Sequence, residues 1–112
     1  MIDPSTISET DRKLVLEFAT AMRDLDTARF LSSPAESIET INRRIDPHIT
    51  RSFRALVKLE QSDNLALREL ASDAANKAGR AIKKLRQLGN LLRQEFTPVK
   101  VERKWSPDPL NN

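Results

Sequence analysis

The chain has 112 residues, a length that predicts a single domain. A hydrophobic content of 38%, only two Gly and the lack of Tyr and Cys favour helices over β-sheet and exclude disulfides and thiolate metal sites. The residues after Met1 lack the basic start and apolar run of a signal peptide, and no apolar stretch reaches the roughly 20 residues that cross a bilayer. We therefore expect an intracellular, cytoplasmic protein that does not engage membranes.

The net charge of +3 conceals an asymmetry along the chain. Residues 1–42 carry four Lys/Arg and eight Asp/Glu, whereas residues 77–112 carry nine Lys/Arg and three Asp/Glu. Two interpretations remain open at this point. Either the acidic first third pairs with the basic last third, within a bundle or between chains, or the basic segments serve an anionic partner.

The first helix is predicted to begin near Ser5 or Ser8, because Ser8 followed by Asp11 has the pattern of an N-terminal cap. It is expected to end near Leu31, where a Ser-Ser-Pro sequence interrupts the pattern. Apolar residues recur between these points at helical spacing, which predicts one buried stripe. Its members are Leu14, Phe18, Ala21, Leu25 and Ala28.

The Ser-Pro-Ala-Glu sequence at 33–36 is a capping box with Pro at the first helical position, so a second helix is predicted to start there and to run to about Arg44. Asp46-Pro47 again places a capping residue before a proline, which predicts a new helix or a kinked continuation to about Gln61. A break at this proline would give residues 35–60 a loose likeness to a helix-turn-helix, although the usual glycine of the turn is missing.

Ser62 or Asp63 is predicted to cap one long last helix over about 63–96. Its apolar seam is rich in alanine, and small side chains let a facing helix approach closely. The seam comprises Leu67, Ala71, Ala74, Ala78, Ala81, Leu85, Leu88 and Leu92. From Thr97 onward three prolines predict an extended tail that Trp105 anchors.

The predicted fold is therefore all-α. We expect an antiparallel helical hairpin or bundle of three to four helices over residues 1–96, with one long C-terminal helix, followed by the extended tail over 97–112. The modest aromatic content, four Phe and one Trp, suits a chain that completes its core as a homodimer.

Catalytic and metal-binding patterns are missing from the sequence. His48 is the only histidine, and neither a nucleophile elbow nor a phosphate-binding glycine loop is present. We expect His48 to be a partly buried helix residue, and we expect a protein that is not an enzyme and that uses no cofactor or metal.

Basic residues cluster on two helical faces. The first face belongs to the predicted helix over about 43–60. On a helical wheel, its cations lie opposite an apolar stripe that contains Ile45, Ile49 and Phe53. The last helix carries six cations between residues 77 and 93 with no acid among them. Like charges at these spacings repel, so an anionic partner is favoured. The predicted contact residues are Arg43, Arg44, Arg51, Arg54 and Lys58, with Lys77, Arg80 and Lys84.

Two functions from different classes follow. The first is sequence-independent binding of double-stranded nucleic acid, RNA or DNA, by a dimer whose basic helices contact phosphates, because base-reading and stacking side chains are scarce on these faces. The alternative is an adaptor, chaperone or inhibitor that binds an acidic or other protein partner. It would use the alanine-rich seam, chiefly Leu67, Ala71, Ala74, Ala78, Ala81, Leu85 and Leu88, together with Trp105.

Overall fold

The computed structural model describes residues 2–96, and these residues form an all-helical bundle. A short 3-10 turn at Pro4–Thr6 precedes four helices. They are α1 (Glu9–Phe30), α2 (Ile38–Leu59), α3 (Leu65–Ala75) and α4 (Gly79–Phe96). The predicted all-α bundle is confirmed. The predicted tail over 97–112, with Trp105, lies outside the described residues.

Helix α1 packs against both α2 and α4, and α3 packs against the same two helices. Helices α1 and α2 run antiparallel, since Ser62 at the far end of α2 donates a hydrogen bond to Asp11 near the start of α1. Helices α1 and α4 are antiparallel too, because Arg86 contacts Asp26 while Arg93 contacts Thr20. Helix α1 therefore runs opposite to both of its neighbours.

The local signals around α1 act as predicted. The Ser8 hydroxyl accepts a hydrogen bond from the Asp11 N–H at 3.2 Å, which caps the first turn. The helix ends at Phe30, and the Ser32 hydroxyl then donates to the Ala28 carbonyl at 2.9 Å. This bond satisfies a carbonyl that the helix end leaves without a partner.

Helix α2 corrects two expectations. The capping-box bond from the Ser33 N–H to Glu36 forms at 2.9 Å, but it closes a turn, and the helix begins only after Ser37, which caps it through Thr40. The helix then continues through Pro47, so of the two predicted alternatives the continuation is correct, and the new helix and the helix-turn-helix likeness are wrong. Pro47 is exposed, and water can reach the Arg43 carbonyl that lacks an N–H partner there.

The single long helix predicted over about 63–96 is also wrong, because the chain turns between α3 and α4. Lys77 adopts a left-handed φ of 66°, its N–H bonds the Ala74 carbonyl, and the Ala78 N–H bonds the Asp73 carbonyl, both at 3.0 Å. These bonds form a Schellman motif, which ends a helix. The cap of α3 is Asn64, whose side chain accepts from the Leu67 N–H at 3.1 Å, rather than Ser62 or Asp63.

This turn folds the alanine-rich seam back on itself and places most of it in the core of the same chain. The seam therefore is not a surface for a partner, which corrects the alternative prediction, and only Ala78 of its predicted members is exposed. The buried members are Leu67, Ala71, Ala74, Ala81, Leu85, Leu88 and Leu92. Val15, Phe18, Leu25, Ala55, Leu56 and Leu59 complete the core from α1 and α2.

Helices α1 and α4 are in close contact at Gly89. A Cβ atom at this position would lie 2.4 Å from the Ala19 Cβ, well inside contact distance. A Cβ atom at Gly79, at the exposed start of α4, would meet nothing within 4 Å. The two glycines of the chain therefore have opposite roles, since one sets a helix spacing and the other occupies open space.

We expect Gly89→Ala to lower the free energy of unfolding by about 1–2 kcal/mol, because the overpacking at Ala19 outweighs the gain in helix propensity. Gly79→Ala is the matched control and should raise it by up to about 1 kcal/mol. Urea denaturation followed by circular dichroism measures both. Equal effects of the two substitutions would contradict the close α1–α4 contact.

Candidate functional site

Arg51, one of the predicted contact residues, lies between α1 and α2 and bridges two carboxylates of α1. Its Nε donates to Glu17 at 2.9 Å and its Nη1 to Asp24 at 3.4 Å. These partners raise the pKa of the guanidinium, Glu17 foremost through its hydrogen bond. The side chain is two-thirds covered, with 33% of its surface exposed, so it acts as a contact between helices rather than as a free cation.

Arg44 of α2 also has an acidic partner, which lies in the connection between α1 and α2. It forms a bidentate contact with Glu36, with its Nη2 at 2.6 Å and its Nη1 at 2.9 Å, and it also donates to Ser32. The hydrogen bonds from Arg44 and from the Ser33 N–H lower the pKa of Glu36 from 4.5 to about 2. Arg44 thereby ties α2 to the connection that follows α1.

Two further cations have acidic partners on the surface. Arg43 lies 3.2 Å from Glu39 one turn earlier on α2, and Arg86 of α4 lies 2.6 Å from Asp26 of α1. The attraction expected between the acidic first third and the basic last third is thus present at Arg86. Most of the attraction to α1 comes instead from α2.

The orientation of α2 explains why Arg44 and Arg51 have acidic partners. The wheel predicted a buried stripe centred on Ile49, with Phe53 and Leu56 beside it and Leu59 further round. Leu56 and Leu59 are buried as predicted, but Ile49 and Phe53 are exposed, and Ser52 and Ala55 are buried in their place. This rotates the row containing Arg44 and Arg51 toward α1, where the carboxylates are. Small side chains on the buried face allow α1 to come close.

Ten exposed cations in the described residues have no ion-pair partner there. Six are distributed over the first three helices, namely Lys13, Arg23, Arg29, Arg54, Lys58 and Arg68. The other four lie together where α3 turns into α4, and we call them the α4 basic cluster. Its members are Lys77, Arg80, Lys83 and Lys84. The sequence prediction included three of them as contact residues and left out Lys83, although its spacing from Arg80 already placed it on the same face.

The start of α4 adds to the positive potential of this cluster. The first turn of α4 contains no acidic residue to offset the positive end of the helix dipole. Lys84 borders a groove of about 460 Å³ between α3 and α4, where Glu69 and Asp73 also lie. Lys77, Arg80 and Lys83 carry the more open part of the cluster.

The described residues assemble no metal centre. His48 is half-buried, and its Nδ1 has no hydrogen-bond partner among them. Across residues 2–96, no three His, Asp or Glu side chains are grouped to hold a metal ion. The helices in this range are also too short or too polar to cross a membrane.

Comparison of the chain with known protein families, with curated proteins and with solved structures finds no significant match.

The division between paired and unpaired arginines predicts different effects of two neighbouring substitutions. Arg51→Ala should lower the free energy of unfolding by about 1 kcal/mol, because it removes a contact to two carboxylates and the packing of its stem. Arg54→Ala, one turn away and without an ion pair, should change it by less than about 0.5 kcal/mol. Thermal and urea denaturation measure the difference. If Arg54→Ala proved the more destabilising of the two, the pairing described above would be wrong.

Proposed function

We propose that the protein is a non-enzymatic binding protein that holds double-stranded nucleic acid through the α4 basic cluster. Binding is directed to phosphates and is independent of base sequence. The observation on which this proposal rests is the contrast between cations. Those that hold helices together have carboxylate partners, whereas the four at the start of α4 are exposed, adjacent and unpaired within residues 2–96.

The spacing of the cluster favours a row of anions over a single small one. Arg80 and Lys84 are one turn apart on α4, which is about 6 Å along the helix axis, and Lys77 lies in the turn before them. Each like-charged pair one turn apart costs a few tenths of a kcal/mol in the free protein. Phosphates relieve this repulsion, and the release of their counterions adds a favourable entropy.

The rest of the face supports recognition of the duplex backbone. Its remaining polar residues include Gln87 and Asn90, and aromatic side chains that would stack on single-stranded bases are missing from residues 77–94. Lysine and arginine contacts to phosphates position a protein on a duplex without reading its sequence.

Lys77 gives independent support. Its φ of 66° lies in the left-handed region, where a glycine is favoured over residues with a Cβ. A lysine at such a position reduces stability, and residues held at this kind of cost often serve a function. In this proposal that function is contact with a phosphate, as it is for Arg80, Lys83 and Lys84.

A protein-binding adaptor is the second candidate. The alanine-rich seam no longer supports it, but exposed apolar residues on α2, among them Ile49, Phe53 and Val57, do. Such a surface fits a protein rather than a phosphate backbone.

The charge contrast leads to a direct binding test with a fluorescently labelled duplex. With four phosphate contacts, affinity should fall roughly 10²–10³-fold between about 50 and 300 mM salt. Arg80→Gln combined with Lys83→Gln should weaken binding and reduce the slope of log affinity against log salt by about two. Lys13→Gln combined with Arg23→Gln removes the same charge from the exposed side of α1 and is the matched control.

The control variant should keep the salt slope of the wild type. Equal losses in both double variants would mean that binding follows net charge alone and would refute the α4 basic cluster as the site. Failure of the wild type to bind any duplex in low salt would refute the function itself.

Lys77→Gly should separate stability from binding. Glycine relieves the left-handed backbone, so we expect the free energy of unfolding to rise by about 0.5–1 kcal/mol. Loss of the ammonium group should at the same time lower duplex affinity and reduce the salt slope by about one. Lys83→Gln is the matched control, which should lose affinity without any gain in stability. Unchanged affinity of Lys77→Gly would remove Lys77 from the site.

A further inference from the structure

The outer side of α2 carries a row of apolar residues that the described part of the chain leaves open. They recur at every fourth position, and we call them the α2 ridge, which consists of Ile41, Ile45, Ile49, Phe53 and Val57. Residues four apart drift by about 40° around a helix, so the row winds outward along α2. Ile41 and Ile45 are half-buried, while Ile49, Phe53 and Val57 keep 40%, 53% and 42% of their surface exposed.

Rows of this spacing have a preferred way of packing. Residues at every fourth position form the ridges that interlock when two helices cross at about −50°, the commonest class of helix contact in globular proteins. A second ridge of the same spacing therefore fits the groove beside the first.

We propose that the α2 ridge is the interface between two copies of this chain, which cross antiparallel about a two-fold axis near Thr50. The surface is then self-complementary, as a two-fold interface requires. This pairing does not depend on nucleic-acid binding, because the α4 basic cluster contributes nothing to it.

The charges beside the ridge favour a second copy of this chain as the partner, and they favour an antiparallel over a parallel crossing. Asp46 and Arg54 are exposed, neither has an ion-pair partner within residues 2–96, and they lie one turn before and one turn after Thr50. An antiparallel crossing brings Asp46 of each copy against Arg54 of the other, so the pair forms twice. A parallel crossing would place Asp46 against Asp46 and Arg54 against Arg54.

The size of the surface sets the expected strength. Helix α2 has 22 residues, which corresponds to a length of about 33 Å, and a −50° crossing uses only its central turns. This is a small interface by the standards of permanent dimers, so we expect a dissociation constant on the order of 1–100 µM.

The test is sedimentation velocity of the purified full chain, free of nucleic acid, from about 5 to about 300 µM. The wild type should pass from monomer to dimer across this range. Phe53→Asp should remain monomeric with the circular dichroism of a folded helical protein, because Phe53 contributes little to the core. Asp46→Arg and Arg54→Asp should each weaken the dimer at least tenfold, and the two combined should restore it. Lys83→Asp is the matched charge reversal outside the interface and should leave dimerisation unchanged.

A wild type that stays monomeric at the highest concentration would overturn the proposal and assign the ridge to a different protein. A dimer that survives Phe53→Asp would overturn it as well. Failure of the combined Asp46→Arg and Arg54→Asp variant to restore the dimer would overturn the antiparallel two-fold arrangement. Duplex binding by a monomeric Phe53→Asp variant would leave the proposed function standing in every case.

Discussion

The close approach of α1 and α4 is the constraint on which the bundle depends. It exists because Gly89 has no side chain and faces Ala19, where a Cβ atom would come within 2.4 Å. Small buried residues repeat this principle elsewhere, with Ala55 on α2 and Ala71 and Ala74 on α3. When helices pack this closely, the residues at the edges of the contact are also near each other. Long arginine side chains can then reach carboxylates on the next helix.

Only some of the cations of the chain lie in such contacts. Arg51 and Arg86 stand at the rims of the contacts of α1, where Glu17, Asp24 and Asp26 hold them. The members of the α4 basic cluster lie at the turn before α4 and on its first turns, and they have no ion-pair partner within residues 2–96. A cation that is paired with a carboxylate stabilises the folded state and is not free to bind phosphates.

Much of the fold follows from local sequence signals, and the errors have physical causes. Ser8 caps α1, the heptad-like spacing marks the core, and Phe30 ends α1 as the Ser-Ser-Pro sequence predicts. The turn at Lys77 escaped prediction because it lacks the expected glycine, and the apolar spacing runs across it without interruption. At Pro47 the sequence allowed both a new helix and a continuation, and the helix continues because the exposed position tolerates a missing hydrogen bond. A helical wheel shows where apolar residues lie on α2 but not which of them a neighbour covers, so it could not reveal that Arg51 is paired and Phe53 is exposed.

The most direct test of the role of the α4 basic cluster is to titrate the isotopically labelled protein with a short duplex and to follow its backbone amide signals by NMR. We expect the shifts to concentrate on the turn and first two turns of α4, around Lys77, Arg80 and Lys83, and to leave the signals of Arg44 and Arg51 in place. Shifts centred on Arg51 and its partners on α1, or spread evenly over all four helices, would contradict the assignment of the cluster as the phosphate-binding surface.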